Sequence, residues 1–169
     1  MEYNYTISSE GCLALLDPET YKGFIGEDWS VKGIKDHFIS ENEKGAIIAW
    51  GCDDGNWNVS ISNSETDLNS EQCFDSVLKT NGKILLTSYE SLTMAAQFDD
   101  VSLPESHENG QVIELEPGFY QVTVKQKFAS EDSGCEKVFS QKAAHFELIL
   151  KKVNELGKPL NDIPWFQGY

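Results

Sequence analysis

The chain has 169 residues, which suits a single globular domain over residues 1–169 with an ordinary hydrophobic core. Its 13 lysines and arginines are outnumbered by 28 aspartates and glutamates, so the formal net charge is −15. A field of that sign repels nucleic acid and anionic membranes and attracts cationic partners. The acidity has two interpretations: it serves solubility alone, or part of it forms a docking face for a basic protein.

Targeting signals and disulfide patterns are missing from the sequence. It has no apolar run long enough to cross a membrane, and its first residues lack the basic and apolar regions of a signal peptide, so we expect a cytoplasmic protein. The four cysteines form no Cys-x-x-Cys pair: Cys12, Cys52, Cys73 and Cys135. In a cytoplasmic protein, reduced and mostly buried thiols are expected rather than disulfides or a zinc site.

The first part of the chain predicts strands around one helix. Four segments have the alternating or continuous apolar pattern of strands: 3–7, 12–16, 45–51 and 57–62. The last two flank the turn sequence CDDGN and are expected to pair as a hairpin. Between the second and third strands, apolar residues from Trp29 to Ile39 recur at helical spacing, with Asp28 as the N-cap.

The second part of the chain predicts further strands and an acidic loop. The strand-like segments here are 74–78, 83–88, two arms within 111–128, and 144–153. Residues 89–97 fit either a strand or a short helix, and we favour the helix because alanine and methionine are good helix formers. The acidic loop is 99–110, and Trp165-Phe166 are expected to fold back onto the body of the domain.

The stretch 111–128 predicts a hairpin around Pro117-Gly118. If Glu116 pairs with Phe119, one face of this hairpin is apolar, made by Ile113, Leu115, Tyr120, Val122 and Val124. The opposite face, which includes Thr123 and Lys125, would be largely exposed. Pro-Gly suits a tight two-residue hairpin poorly, so a splayed end or a longer loop is expected there.

These elements together predict a mainly β, α+β fold. We expect an antiparallel β-sandwich of about eight strands, mostly joined as hairpins, with one or two short helices. No internal repeat and no second domain is evident in the sequence.

The sequence contains no pattern typical of an active site. His37 lies on the predicted helix, His107 lies among carboxylates in the acidic loop, and His145 is expected to be half exposed on the last strand. There is no Gly-x-Ser-x-Gly elbow, no glycine-rich loop before a helix and no His-Glu-x-x-His motif. We therefore predict no catalytic, cofactor-binding or metal-binding residues, and we expect that the protein is not an enzyme.

Four short motifs connect the chain to a known family. They are DWS at 28–30, GAII at 45–48, TNGKI at 80–84 and LEPGFYQV at 115–122. Their order resembles that of the competence protein J family of bacterial nuclease inhibitors. This chain is longer than the family pattern, with the acidic loop and the segment after Val153 as additions. The resemblance implies a cytoplasmic protein that binds and inhibits a DNA-degrading enzyme.

The resemblance and the charge together suggest an acidic binding protein, nuclease-inhibitor-like or immunity-type, that neutralises a basic partner such as a nuclease or toxin. An acidic protein can occupy the basic groove of a nuclease and release the counterions that DNA would release. Six carboxylates in two loops are the candidate partner contacts: Asp53, Asp54, Asp99, Asp100, Glu105 and Glu108.

Two alternative functions remain open from the sequence. One is a housekeeping domain whose acidity is only a matter of solubility. The other is a protein that binds or converts a small molecule in a cleft between the sheets, where Trp50, Trp57 and Tyr89 could line a pocket. The sequence also leaves open whether the two acidic loops lie at the same end of the sandwich.

Overall fold

The secondary structure is dominated by strands. The computed structural model describes residues 1–64, 70–129 and 143–167. Its strands are β1 (Glu2–Ser9), β2 (Cys12–Leu16), β3 (Ile47–Gly51), β4 (Gly55–Ser62), β5 (Gln72–Thr80), β6 (Lys83–Ser88), β7 (Val112–Glu114), β8 (Gly118–Gln126) and β9 (Phe146–Val153). Its helices are α1 (Val31–Glu43), α2 (Tyr89–Gln97) and a 3₁₀ helix (Ser106–Gln111). In these described parts, no helix is long and apolar enough to span a membrane.

The strands form two sheets that pack face to face. The five-stranded sheet has the order β1-β4-β9-β8-β5, and the four-stranded sheet has the order β3-β2-β6-β7. Neighbouring strands are antiparallel, except that β4 and β9 are parallel. The predicted fold class is therefore confirmed, with nine strands among the described residues where about eight were expected, and with a 3₁₀ helix added to the two α-helices.

The main hydrophobic core lies between the two sheets. On β4 the alternating side chains Trp57, Val59 and Ile61 are buried. The Trp57 ring lies 5.3 Å from the Phe128 ring and 5.4 Å from the Phe146 ring, measured between centroids. A strand directs every second side chain to the same face, so the alternation read from the sequence correctly identified the residues that enter this core.

A second core lies on the other face of the four-stranded sheet, beneath α1 and α2. Ile34 and Phe38 of α1 and Leu92 and Ala96 of α2 pack there. Every residue of β2 and β3 is buried as a result. Strands covered on both faces need no polar side, which explains the continuous apolar runs at these positions. The molecule thus has three layers: helices, four-stranded sheet and five-stranded sheet.

The hairpin predicted within 111–128 is wrong. β7 pairs with β6 in the four-stranded sheet, whereas β8 pairs with β5 and β9 in the five-stranded sheet. Pro117-Gly118 therefore carries the chain from one sheet to the other, in keeping with its poor fit to a tight hairpin. The predicted apolar face is nevertheless correct, because Ile113 and Val122 both enter the core between the sheets.

Other tight turns also connect the two sheets. The hairpin expected across CDDGN is wrong, because β3 belongs to the four-stranded sheet and β4 to the five-stranded sheet. The Asn81-Gly82 turn joins β5 to β6 in the same way. Strands that follow one another along the chain therefore often stack across the core instead of pairing. A periodic pattern reports which side of a strand is buried, and it does not report the neighbouring strand.

Two residues expected to be exposed are buried. Lys125 is 4% exposed, and its cross-strand partner Glu147 is 5% exposed, so opposite charges lie in register on β8 and β9. His145, immediately before β9, is 1% exposed. Its Nδ1 accepts a hydrogen bond from the Asn58 N–H at 2.8 Å, and its ring meets Trp57 edge-on. This histidine therefore links the start of β9 to β4.

Both α-helices begin at a serine N-cap. The Ser30 hydroxyl accepts a hydrogen bond from the Gly33 N–H at 3.0 Å, so Ser30 is the N-cap of α1. The prediction that Asp28 is the N-cap is wrong. The Ser88 hydroxyl accepts one from the Ser91 N–H at 3.4 Å at the start of α2. Residues 89–97 therefore form the helix favoured from their composition.

The C-terminal segment folds back onto the sandwich, as predicted. The Trp165 ring lies 5.2 Å from the Phe74 ring and 6.2 Å from the Phe146 ring. The Gly51 N–H donates to the Pro164 carbonyl at 2.8 Å. Glycine is required at position 51 because a β-carbon there would lie 2.1 Å from the Trp165 carbonyl oxygen.

We expect Val122→Asp to lower the free energy of unfolding by about 4 kcal/mol or more, because it places an unpaired carboxylate in the main core. The matched control is Gln121→Asp, since Gln121 is exposed and lies opposite Lys151. The control should change the stability by less than about 1 kcal/mol. Urea unfolding of the two variants measures the difference. Equal losses would mean that the alternation assigned to β8 is wrong.

We expect Gly51→Ala to destabilise the protein by roughly 1–3 kcal/mol, because the chain around Trp165 must move away from the new methyl group. Gly110→Ala is the matched control, because a β-carbon there meets nothing within 4 Å. Urea unfolding gives the free energies, and limited proteolysis reports release of the C-terminal segment. If both variants keep wild-type stability and proteolytic resistance, the close approach of the two segments is not real.

Candidate interaction surfaces

Exposed carboxylates gather at one end of the sandwich. Asp53 and Asp54 lie there, in the crossing from β3 to β4, and both are exposed. Glu10 lies between β1 and β2, Glu71 lies immediately before β5, and Glu90 lies in the first turn of α2; all three are also exposed. We call these five residues the acidic end.

Hydrogen bonds hold the elements of the acidic end together. Beside Glu10, the Gly11 carbonyl accepts the Cys52 N–H at 3.0 Å. The Glu71 N–H donates to the end of β8, and the Ser9 hydroxyl lies 3.4 Å from a Glu90 carboxylate oxygen. The sequence-based list of contacts missed Glu10, Glu71 and Glu90. Because each lies at or next to a strand or helix end, a correct assignment of strands to sheets would have found them.

A polar cleft of about 500 Å³ opens at the acidic end. Its lining includes Asp53 and Asp54 together with the side chains of Gln72 and Gln126. The Gln126 amide oxygen accepts a hydrogen bond from the Gln72 side chain at 2.9 Å, so the two carboxylates supply the acceptors for lysine and arginine. The cleft is therefore suited to receive cationic side chains rather than an anionic or apolar ligand.

Cys52 lines the same cleft, but its thiol is not suited to act as a nucleophile. Burial, with a smaller contribution from the Asp53 and Glu90 carboxylates, raises the pKa of Cys52 to about 12, although hydrogen bonds with the Gly11 backbone and the Ser9 side chain act in the opposite direction. Burial also raises the pKa of Cys12 well above its ordinary value. A nucleophilic cysteine must be a thiolate, so neither group suits that role near neutral pH.

The cysteines that the structure describes are free thiols, but only one of the three is buried, so the expectation that they are mostly buried is wrong. They are Cys12, which is buried, Cys52, which is half-buried, and Cys73, which is exposed. Cys135 lies outside the described residues.

Only the later part of the second predicted acidic loop reaches the acidic end, where Glu108 and Glu90 line one cleft. α2 begins at the acidic end, where the Tyr89 N–H donates to the Ser9 hydroxyl at 3.0 Å. A helix of nine residues is about 13 Å long, so Asp99 and Asp100 lie a helix length away. Both are exposed. Asp99 and Asp100 therefore form an acidic surface apart from the acidic end, whereas the sequence left open whether the two loops lie at the same end.

Glu105 and Glu108 have structural roles in that loop. Glu108 is 1% exposed, and its carboxylate accepts hydrogen bonds from the Thr87 hydroxyl and the Glu105 N–H, at 2.5 and 3.1 Å. It thereby caps the 3₁₀ helix and ties it to β6. Glu105 is half-buried at the start of that helix. The prediction that Glu108 reaches a partner is wrong, because a buried and fully engaged carboxylate cannot touch another protein.

One group of side chains in the described part of the chain has the spacing of metal ligands. One ligand atom from each of Glu105, His107 and Glu108 lies within 4.8 Å of the others. The Glu108 oxygens already accept the hydrogen bonds from Thr87 and Glu105. The cap of the 3₁₀ helix thus accounts for this grouping, and we assign no ion to it.

The cleft proposed between the sheets is also wrong. Trp50 and Trp57 are completely buried in the main core, so they line no opening, and Tyr89 packs near Phe166. A cleft of about 570 Å³ lies instead between β5, β8 and the segment 155–161. It includes none of the three predicted aromatic residues. The interior of the sandwich is filled because the two tryptophans occupy the volume that a ligand would need.

We expect Cys73 to react with a thiol reagent in the native protein at pH 8 and Cys12 and Cys52 to stay unreactive, because their raised pKa values and burial suppress the thiolate. Replacing Cys73 by serine should remove one equivalent of fast-reacting thiol. Replacing Cys52 by serine should remove none until the protein is unfolded in urea. Fast reaction of Cys52 in the native state would contradict its placement.

Comparison with known proteins finds similarity in structure and not in sequence. No family model matches the sequence, and no curated protein sequence matches it either. A structure titled "Crocagin biosynthetic gene J" superposes with a TM-score of 0.62 and 11% identity, over 90% of this chain and 97% of that chain. ComJ from Bacillus subtilis, an inhibitor of the DNA degrading activity of NucA, superposes with a TM-score of 0.50 and 14% identity, over 90% of this chain and 98% of that chain.

The resemblance stated from the short motifs is thereby confirmed at the level of the fold. Nearly the whole of ComJ is matched, while a tenth of this chain lies outside the superposition. At these identities the shared feature is the arrangement of strands and helices, which the crocagin protein has as well. The chain has the fold of the nuclease inhibitor ComJ.

Proposed function

We propose that this chain is a binding protein of the nuclease-inhibitor kind, whose acidic surface docks on the basic groove of a partner enzyme. The observation that carries the proposal is the fold shared with ComJ, which spans 90% of this chain and 98% of that one. The net charge of −15 is opposite in sign to the basic groove with which a nuclease binds phosphates.

The acidic end is suited to this role because rigid elements hold its carboxylates. Asp53 and Asp54 lie in a short crossing between two strands, and Glu10 lies in a two-residue turn between β1 and β2. Loops on a rigid scaffold can reach a partner without disturbing the core. Carboxylates presented in this way compete with DNA phosphates for the lysines and arginines of the groove, and they release the same counterions.

Asp99 and Asp100 form a second candidate contact, at the far end of α2. Glu105 is a marginal contact because it is half-buried, and Glu108 is not one because it caps the 3₁₀ helix. Neutralising Glu108 would damage this cap. A charge experiment therefore has to leave Glu108 intact, so that a loss of binding is not confused with a loss of structure.

The proposal favours binding over catalysis. Among the described histidines, His145 is buried against Trp57, and the His37 Nε2 lies against the Lys22 carbonyl. His107 belongs to the 3₁₀ helix. These contacts are structural, and they support a protein that acts by occupying its partner's surface.

We expect affinity purification from the source cell to recover a basic nuclease, and we expect the purified chain to inhibit DNA cleavage by it. Association should slow with rising salt, because charges steer the encounter. Changing Asp53 and Asp54 together to asparagine, or Asp99 and Asp100 together, should slow association at low salt by about tenfold for the pair that docks. Stopped-flow binding measures these rates.

The matched control changes Glu2 and Glu155 together to glutamine. Both are exposed, and they lie away from the acidic end, so this double variant removes the same total charge elsewhere. If all the double variants slow association equally, the effect is one of overall charge, and acidity serves solubility alone. If no basic nuclease is recovered, or the recovered one cleaves DNA at its full rate, the proposed function fails.

A further inference from the structure

Exposed apolar side chains concentrate at one place in the described structure. The large hydrophobic residues with substantial exposure are Met1, Tyr3, Phe24, Met94 and Phe98. The first two belong to the N-terminal strand region. Phe24 is 50% exposed, Met94 41% and Phe98 37%, and these three lie on segments that meet at the C-terminal end of α2. We call them the apolar patch.

The backbone brings the patch together. Met94 and Phe98 are one helical turn apart, and the Phe98 N–H donates to the Met94 carbonyl at 3.1 Å. The segment that carries Phe24 lies across the same helix end, because the Ile25 and Gly26 N–H groups donate to the Ala96 carbonyl at 2.9 and 3.0 Å. Phe24 thus belongs to a strap that is fixed on the last turn of α2.

The patch is not needed to hold the fold together. The strap packs inward through Ile25, and α2 packs inward through Leu92 and Ala96, all within the second core. Phe24, Met94 and Phe98 lie on the opposite side and leave apolar surface in water. A cluster of this kind surrounded by polar residues is typical of a protein-binding surface, and phenylalanine and methionine are enriched in such surfaces.

The charges around the patch have one predominant sign. Four exposed carboxylates flank it in the chain: Glu27, Asp28, Asp99 and Asp100. The exposed basic residue in the strap is Lys22. An acidic rim repels a second copy of this chain, an anionic membrane and nucleic acid alike, and it attracts a cationic protein.

We propose that the apolar patch and its acidic rim are a docking surface for a basic protein segment that carries aliphatic or aromatic side chains among lysines and arginines. The apolar side chains would fill the centre of the interface, and the rim carboxylates would pair with the cations around it. This inference rests on the proposed function for the biological partner. It also gives Asp99 and Asp100 a different role from Asp53 and Asp54, since only the former pair adjoins exposed apolar surface.

The test uses random peptides displayed on phage as the probe and the immobilised full-length chain as the target. We expect the enriched peptides to combine lysine or arginine with leucine, isoleucine, phenylalanine or tryptophan. Their affinity should fall at least about tenfold for the double variant Phe24→Ser with Phe98→Ser. It should also fall for Asp99→Lys with Asp100→Lys, and more steeply at low salt than at high salt.

Two controls separate a local effect from a general one. Tyr3→Ser removes another exposed aromatic ring from a different part of the chain, and Asp53→Lys with Asp54→Lys reverses the same charge at the acidic end. Neither should weaken the peptides. Because the substituted side chains are exposed, unfolding in urea should give the wild-type midpoint for all four variants.

The inference is overturned if no peptide is enriched, or if the enriched peptides bind the patch variants as well as the wild type. It is also overturned if the recovered nuclease binds the patch variants normally but loses affinity for Asp53→Lys with Asp54→Lys; the proposed function then stands with a different docking site. Conversely, if the enriched peptides require the patch while the chain inhibits no nuclease, the inference stands and the proposed function fails.

Discussion

Burial of both faces of the four-stranded sheet is the constraint on which the rest of the structure depends. On β2, Leu13 and Leu15 enter the core between the sheets, while Cys12, Ala14 and Leu16 enter the core beneath the helices. A sheet that is apolar on both faces is stable only when both are covered. The five-stranded sheet covers one face, and α1, α2 and the C-terminal segment cover the other, which leaves the central volume filled and the binding surfaces on the outside.

That layering decides where a partner can bind. Turns that pass between the two sheets gather exposed carboxylates at one end, where Asp53 and Asp54 lie beside residues from β1, β5 and α2. The helix layer offers a second surface, because α2 uses one side for packing and leaves Met94 and Phe98 in solvent on the other. The first surface is mainly polar, although Phe128 and Trp165 line its cleft, whereas the second combines an apolar centre with an acidic rim. Interfaces of measurable affinity generally need an apolar centre as well as charge complementarity, which favours the second surface as the anchor and the first as a steering region.

The fold is shared with an inhibitor and with a biosynthetic protein, at 14% and 11% identity. Sequences that have diverged this far can keep the alternation of apolar residues that fills the core, since many combinations of hydrophobic side chains fill the same volume. They do not preserve a surface, which is free to change its charges and its exposed aromatic residues. Function therefore has to be argued from surface residues of this chain, and the described part of its surface carries exposed carboxylates and a small apolar patch.

The sequence by itself determined which apolar side chains fill the core along most strands, the helix at 89–97, the return of Trp165 to the sandwich and the strongly negative charge. These follow from local periodicity, local propensity and composition, which are properties of neighbouring residues. Only the tertiary structure decided which strands pair, that Lys125, His145 and Glu108 are buried, and that Asp99 and Asp100 lie apart from Asp53 and Asp54. Pairing depends on which sheet the chain enters after each turn. The turns CDDGN and Asn81-Gly82 cross between sheets although their composition suits a hairpin, and Pro117-Gly118, which suits one poorly, crosses as well. Exposure of a polar residue likewise depends on contacts far away in the sequence, such as the one from Glu108 to Thr87, and no local pattern encodes these.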